Sequence, residues 1–385
     1  MTATEVRTDP EKPGRALAAA AARPVRWGAG RISFRMHRRT ALVSGGALLL
    51  AALLLLVSLC VGSYPVALPD VARALFYGTG DRLAVHFVNQ ERLPQALLAI
   101  LAGCALGMSG AIFQSVSRNA LASPDVIGFN SGAATGAILV IVTFGGAAAS
   151  VAAGAIVGGL VTALLVSALA SRGGLHGIRL VLIGLGVTAM LGSVNSYLLT
   201  RSSLNDSQNA HIWLVGTLHG RGWSSVQIMA VALLVLVPLA LLFGRRLRMM
   251  ELGDDLATGL GVRVNASRLA LTVLGIGLCG VAVASAGPIP FIALAAPQIA
   301  VMVSRSPGVS LVSAGAVGAG LLSAAHLASS QFFTALVWAD QQVGWIRIVE
   351  ESQRNNLLPV GVTTAVLGGV YLAWVLFKRR GTGTA

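Results

Sequence analysis

The sequence predicts an all-α polytopic membrane protein. Of its 385 residues, 55% are hydrophobic and only 11% are charged, whereas a soluble domain carries about 25% charged residues. Apolar runs of about 20 residues recur along the chain, and a run of that length can span a bilayer as a helix. Because a backbone in lipid has to satisfy its own hydrogen bonds, recurring runs of this kind indicate a helical bundle.

Ten apolar segments define the predicted transmembrane domain, residues 41–380. A basic tail, residues 1–40, precedes it and is expected to be cytoplasmic and disordered. The predicted spans cover approximately residues 41–62, 94–116, 126–145, 147–170, 179–200, 226–244, 267–286, 291–304, 309–330 and 360–377.

The distribution of charge predicts the orientation. Ten spans place both termini on one side, and 21 basic residues then fall on that side against seven on the other. Cytoplasmic loops carry the excess of Lys and Arg, so both termini are predicted to be cytoplasmic. The net charge of +14 is spread over loops and tails rather than one basic face, which argues against nucleic-acid binding.

A short polar stretch, residues 249–263, interrupts the apolar pattern on the cytoplasmic side. Leu252, Leu256 and Leu260 recur every four residues, so a helix would present them as one apolar stripe. Gly261 follows where helices commonly end. Glycines inside the stretch lower the helix propensity by about 1 kcal/mol each, so we expect it to need a partner's surface on which to dock. Its acidic residues would lie largely off the stripe: Glu251, Asp254 and Asp255.

Two other segments break the helical pattern at membrane depth, before the short third and eighth spans. Interrupted helices at corresponding places in two halves point to a transport pathway. The first segment contains Arg118, Asn119, Pro124 and Asp125. The second contains Gly287, Pro288 and Pro290, and Pro297 follows within the eighth span.

Several chemical motifs are missing from the sequence. It has no G-x-x-x-x-G-K-[ST] phosphate loop and no H-E-x-x-H or other paired metal-ligand spacing, and its three cysteines form no disulfide pattern. The predicted spans contain almost no ionisable residue. His326, in the ninth span, is the exception, and we interpret it as a hydrogen-bonded interior histidine. We therefore predict no catalytic residue and no metal site. Energy would come from a partner, and an ion-coupled secondary transporter is the alternative.

Four segments together resemble the FecCD-type permeases of ABC importers for iron–siderophores, haem and cobalamin. The resemblance covers roughly residues 41–380. The segments are residues 91–136, LGDDLATGLGV (252–262), AGPIPFIALAAPQIA (286–300) and LPVGVTTAVLG (358–368).

The resemblance implies the architecture of a type II ABC importer permease with ten transmembrane helices. It implies a homo- or heterodimer of permeases, two cytoplasmic ATPase subunits that bind ATP and Mg²⁺, and an extracytoplasmic binding protein. The permease itself would bind no cofactor and would lie in the bacterial cytoplasmic membrane. Ferric siderophore is the expected cargo, with haem or cobalamin as alternatives.

The resemblance also assigns expected roles to residues. Residues 252–262 would be the coupling segment, which binds in a groove of the ATPase. The segment from Arg118 to Asp125 matches the family's cytoplasmic R-N-P-L-A-x-P motif, with Ala120 in place of its first proline. The loop from Leu175 to Arg179, which includes His176, would line or gate the path together with the fifth and tenth spans.

The chain departs from the family's motifs at several places. Of the outer arginines that would dock the binding protein, only Arg92 is kept, so Arg347 and Arg354 in the expanded outer segment 331–358 are expected to replace the others. The substituted positions are Gln95, Gln298, Val301, His326 and Ser330.

Overall fold

The fold was described from a computed structural model. It covers residues 25–27, 34–36, 38–62, 64–125, 128–145, 148–171, 177–305, 308–343 and 358–380. Two short strands, β1 (Val25–Trp27) and β2 (Phe34–Met36), pair antiparallel within the predicted tail. Residues 38–40 of that tail begin the first long helix, and its other residues lie outside the described part of the chain.

Helices make up nearly all of the remaining described chain. They are α1 (Arg38–Cys60), α2 (Leu68–Phe76), α3 (Arg82–His86), a π-helix (Phe87–Arg92), α4 (Leu93–Ser117), α5 (Phe129–Phe144), α6 (Ala148–Ser171), α7 (Gly177–Arg201), α8 (Leu204–Val215), α9 (Trp223–Glu251), α10 (Asp254–Gly259), α11 (Val264–Ala286), α12 (Ile292–Ser304), α13 (Leu311–Val343) and α14 (Val360–Arg380).

A helix occupies each of the ten positions where a span is predicted. Seven helical segments are long and apolar enough to cross a membrane: α1, the α3–α4 segment, α6, α7, α9, α11 and α13. The other three, α5, α12 and α14, contain shorter apolar helices. Ten crossings therefore stay a prediction, whereas the all-helical transmembrane domain matches the expected fold class.

The sequence reasoning missed the helices within the connections. Helices α2 and α8 are too short and too polar to register as spans, although α2 buries Val71 and Ala74 on one side. Helix α13 continues to Val343, beyond residue 330, where the predicted ninth span ends, so the first part of segment 331–358 extends this helix.

Helix α4 forms the centre of the bundle and packs against α9, α11, α12 and α13. Its glycines Gly103, Gly107 and Gly110 lie against backbone carbonyls of neighbouring helices, and a Cβ on Gly110 would overlap the carbonyl oxygen of Ala293. Small residues permit this approach, and close packing rather than hydrophobicity drives helix association in lipid. The core is therefore built from backbone-to-backbone contacts around one central helix.

Candidate functional sites

The polar stretch 249–263 forms a helical corner rather than one continuous helix. Helix α9 continues through Glu251 and ends at Leu252, and the chain turns at Gly253, whose φ of +125° favours glycine. The prediction of a single helix through Leu252 was therefore wrong, because the positive φ of Gly253 separates that residue from α10.

All three leucines of the corner are nevertheless exposed. Leu252, Leu256 and Leu260 are 64%, 62% and 61% exposed. On the opposite side, Ala257 and Val262 are buried and hold the corner against the bundle. We call Leu252, Leu256 and Leu260 the leucine patch.

Two of the three acidic residues anchor this corner to the rest of the protein. Glu251 accepts a 2.7 Å hydrogen bond from Ser115 Oγ at the end of α4. Asp254 forms ion pairs with Arg118 and with Arg268, the latter at 2.9 Å. The hydrogen bond from Arg268 is the main reason why the pKa of the Asp254 carboxyl is lowered. These carboxylates, which we predicted as ATPase contacts, are already engaged inside the protein.

Asp255 differs from the other two acidic residues. It is exposed, and no described residue forms an ion pair with it. Of the predicted acidic contacts, it has the side chain most available to a partner.

The first helix break begins directly where α4 ends. Arg118 has a left-handed φ of +50°, and the N–H of Asn119 bonds to the Gln114 carbonyl, which closes the helix. The Arg118 guanidinium also donates to the Met250 carbonyl oxygen at 2.9 Å. The break is thereby joined to the polar corner at 249–263.

The two helix breaks meet through Asp125. Its carboxylate accepts a 2.6 Å hydrogen bond from Asn130 Nδ2 in the first turn of α5. It also accepts a hydrogen bond from the backbone N–H of Phe291, the residue that precedes α12. The sequence places both breaks, but nothing in it indicates that this carboxylate bridges them.

A second polar contact links α4 to α12 inside the bundle. Gln114 Nε2 donates to the Leu294 carbonyl at 3.0 Å, and Gln298 Nε2 donates to Gln114 Oε1 at 2.7 Å. Pro297, one of the predicted breaks, lies inside α12 and does not end it.

The second break, residues 286–291, packs against the connection between α8 and α9. Thr217 N donates to the Ala286 carbonyl at 2.9 Å, and Gly361 N donates to the Gly216 carbonyl at 3.1 Å. Gly287 has a φ of +78° and faces the Trp213 carbonyl, so a side chain there would be both strained and crowded. Pro288 and Pro290 therefore lie at a junction of α8, α11, α12 and α14.

The predicted gating loop is only partly described. His176 lies outside the described residues, whereas Arg179 is exposed near the start of α7. Much of α7 and α14 is exposed, including Leu182, Leu185 and Val366. These faces are accessible to a second subunit or to lipid.

A polar cavity of about 400 Å³ opens between the end of α1, the π-helix, the α8–α9 connection and α13. Arg92 lines it, but this side chain is buried and its guanidinium donates to the Leu59 and Tyr64 carbonyl oxygens at 2.9 and 2.6 Å. Its predicted role in docking is untested, and its guanidinium is already committed to these carbonyls. Arg347 and Arg354 lie outside the described residues.

Comparison with known proteins agrees with this architecture. The sequence profile of the FecCD transport family matches residues 49–340 of this chain. The chain belongs to the FecCD transport family. It is therefore a multi-pass membrane protein and a transporter subunit rather than an enzyme.

Relatives of this FecCD protein match over nearly their whole length. The ferric enterobactin transport system permease protein of Escherichia coli K12 is 41% identical, over 86% of this chain and 97% of the relative. The achromobactin transport system permease protein of Dickeya dadantii is 34% identical, over 92% and 96%. The hemin transport system permease protein of Yersinia pestis is 32% identical, over 85% and 94%.

A solved structure shares the fold. A metal-chelate type ABC transporter in an inward-facing conformation superposes with a TM-score of 0.72 at 23% identity, covering 88% of this chain and 99% of that one. At this identity the likeness concerns the fold alone.

The substituted positions of this FecCD protein are not scattered. Gln95, His326 and Ser330 all line the polar cavity beside Arg92, whereas Gln298 lies in the α4–α12 contact and Val301 is half-buried on α12. Three of the five departures from the expected motifs therefore surround one space.

Proposed function

We propose that this FecCD protein is the membrane-spanning permease subunit of an ATP-driven importer of ferric siderophore in the bacterial cytoplasmic membrane. Ten helices would cross the membrane with both termini cytoplasmic. The permease would form a dimer with a second permease subunit and bind two cytoplasmic ATPase subunits and an extracytoplasmic binding protein. ATP and Mg²⁺ would bind to the ATPase. The relatives that carry ferric enterobactin and achromobactin in their names support this cargo.

The leucine patch is the observation that carries the proposal. Leu252, Leu256 and Leu260 are each more than 60% exposed, and they belong to a polar corner that is predicted to be cytoplasmic because basic residues are in excess on the side of the termini. A soluble subunit that covers them gains apolar burial, which is the main favourable term in association. Asp255, which forms no ion pair with any described residue, adds a negative charge to this corner.

The contacts suggest how ATPase movement reaches the pathway. A push on α10 would be transmitted by the Asp254–Arg118 ion pair to the end of α4 and the first break. Asp125 would transmit it to Phe291 and the start of α12. Alternating access would then arise from the differential affinity of the ATPase for two arrangements of these connected segments.

Reconstitution tests the proposal. In proteoliposomes, uptake of a ferric siderophore should require the ATPase, the binding protein and ATP. Arg118→Met should leave ATPase binding intact, because it does not touch the leucine patch, but lower the uptake per ATP hydrolysed. Uptake driven by an ion gradient in the absence of the ATPase would contradict the proposal and favour a secondary transporter.

Haem is the second candidate cargo, because the hemin permease of Yersinia pestis matches nearly as much of the chain. The same proteoliposomes decide between the two. Saturable ATP-dependent uptake of haem in preference to ferric siderophore would replace the proposed cargo while leaving the importer mechanism in place.

A further inference from the structure

One side of α9 (Trp223–Glu251) is exposed along almost its whole length. The opposite side, which includes Met229 and Leu247, is buried against the bundle. Spacings of three and four residues place the large exposed side chains on one face of the helix. These residues, which we call the α9 stripe, are each at least 40% exposed: Ile228, Val231, Leu234, Val235, Leu239 and Leu242. An apolar face of this length is suited to hydrocarbon rather than to water.

Two arginines continue the α9 stripe at its predicted cytoplasmic end. Arg245 and Arg246 lie three and four residues after Leu242, so they extend the stripe by one turn of the helix. Both are exposed. Arg248 is exposed as well, but it lies seven residues after Leu241, on a row that is half-buried against the core. The end of α9 therefore carries arginines both on the stripe and beside it.

The Arg246 guanidinium has no anionic partner in the described part of the chain. Its Cζ atom lies 5.0 Å from the centroid of the Phe243 ring, and none of the ion pairs among the described residues includes it. The acid on the same helix, Glu251, accepts a hydrogen bond from Ser115. A guanidinium stacked over a ring keeps its N–H donors at its edge. The ring therefore supports Arg246 in a position from which it can donate to an external anion.

The length of α9 matches the thickness of a bilayer. Trp223 begins the helix at its other end, and its Nε1 donates to the Asn89 carbonyl at 2.9 Å. Arg246 follows 23 residues further along the helix, which at 1.5 Å per residue is about 35 Å. The hydrocarbon core of a bilayer is about 30 Å thick, Trp is enriched at both of its surfaces, and Arg is enriched at the cytoplasmic one. With Trp223 at one surface, Arg246 lies among the headgroups at the other.

Continuity with the α9 stripe decides which anion fits the arginines. In an anionic phospholipid the phosphate is joined to the acyl chains, so one molecule can cover the stripe and bind the arginines at its end. An acidic surface of a soluble protein would contact the arginines alone, because the stripe next to them lies at the depth of hydrocarbon.

We propose that Arg245 and Arg246 bind the phosphate of an anionic phospholipid in the cytoplasmic leaflet, with the acyl chains of that lipid lying along the α9 stripe. The choice of leaflet rests on the proposed function, which places both termini in the cytoplasm, whereas the binding surface itself does not. Since α9 ends at Glu251, the lipid anchors this helix just before the corner that carries the leucine patch.

Native mass spectrometry of the delipidated permease in detergent tests this surface. The probes are dioleoyl phosphatidylglycerol, which is anionic, and dioleoyl phosphatidylcholine, which has the same acyl chains but no net charge. An arginine near a membrane surface contributes about fivefold to the affinity for anionic lipid. Arg246→Gln should therefore raise the Kd for phosphatidylglycerol about fivefold, and Arg245→Gln/Arg246→Gln should raise it further. The Kd for phosphatidylcholine should not change.

Two other variants control for nonspecific effects. Arg248→Gln removes the same charge from the same end of α9, but beside the stripe, and should bind phosphatidylglycerol like the wild type. Arg246→Lys keeps a positive charge and should retain most of the affinity, so that a loss in Arg246→Gln reports the charge and not a folding defect. Equal weakening in Arg246→Gln and Arg248→Gln, or equal affinity of the wild type for the two lipids, would overturn the proposal.

Further measurements exclude the competing anions. Inorganic phosphate, added at matched ionic strength, should not displace phosphatidylglycerol, and displacement would overturn the assignment to a lipid. In nanodiscs made only of phosphatidylcholine, Arg246→Gln should bind the ATPase like the wild type, and a weaker affinity would assign Arg246 to the soluble partner instead. The lipid titration requires neither the ATPase nor cargo, so failure of this proposal and failure of the proposed function are distinguishable.

Discussion

Truncation of the leucine patch should detach the ATPase without unfolding the permease. Burying a whole leucine side chain contributes about 1.5–3 kcal/mol, and each of Leu252, Leu256 and Leu260 is more than 60% exposed. Covering the exposed part of each therefore contributes about 1–2 kcal/mol. Replacing all three by alanine should cost about 3 kcal/mol of ATPase binding, which is on the order of 100-fold in Kd.

The assay compares ATPase affinity and permease stability in the same variants. Surface plasmon resonance with the permease in nanodiscs gives the Kd, and thermal unfolding of the permease alone gives its Tm. The Tm should hardly change, because these side chains bury little in the isolated chain. Leu204→Ala at the start of α8 is the control, since Leu204 is 75% exposed but lies on the predicted opposite side. A triple variant that binds the ATPase with unchanged affinity would refute the reasoning.

Three further outcomes are expected. Gly110→Ala should lower the Tm, because overpacking of a helix contact costs about 1–3 kcal/mol, whereas Gly46→Ala, with open space around it, should not; equal stability of the two would contradict the packing. Asp125→Ala should speed amide hydrogen exchange at the start of α12, because the N–H there loses its acceptor, and unchanged exchange would exclude the bridge. The lowered pKa of Asp254 means that its ion pairs stabilise the fold above the unfolded pKa of about 3.9 and that this contribution is lost as pH falls through the lowered value. The acid dependence of Tm should therefore be weaker in Asp254→Asn but not in Asp255→Asn, and the same curve in both would argue against the ion pairs.

The positions of the long helices could be predicted because apolar runs report them directly. Each predicted span coincides with a helix, from α1 at Arg38–Cys60 to α14 at Val360–Arg380. Helices such as α8 (Leu204–Val215) could not be predicted in the same way, because their hydropathy resembles that of a loop. Their stability depends on contacts with other segments.

The sequence predicted which segments form the candidate sites, but not which residues of other segments contact them. The regular spacing of Leu252, Leu256 and Leu260 indicated a docking surface, and all three are exposed. The same reasoning assigned Glu251 and Asp254 to the partner, because a local pattern cannot reveal that Ser115, Arg118 and Arg268 lie beside them. More than 100 residues separate Ser115 and Arg118 from these acids along the chain.

The resemblance to the FecCD-type permeases also gave an incomplete account of Arg92. It implied that this arginine docks the binding protein. Its guanidinium is satisfied by the Leu59 and Tyr64 carbonyls, and those contacts depend on how the end of α1 folds over the π-helix.

The glycine contacts of α4 have a consequence for motion. Where Gly103, Gly107 and Gly110 touch carbonyls of α12 and α13, no side chain is present that could change rotamer and let the helices slide. Close-packed interfaces of this kind move as one body rather than deforming continuously. Helices α4, α12 and α13 should therefore shift as one rigid body when a push on α10 reaches the end of α4.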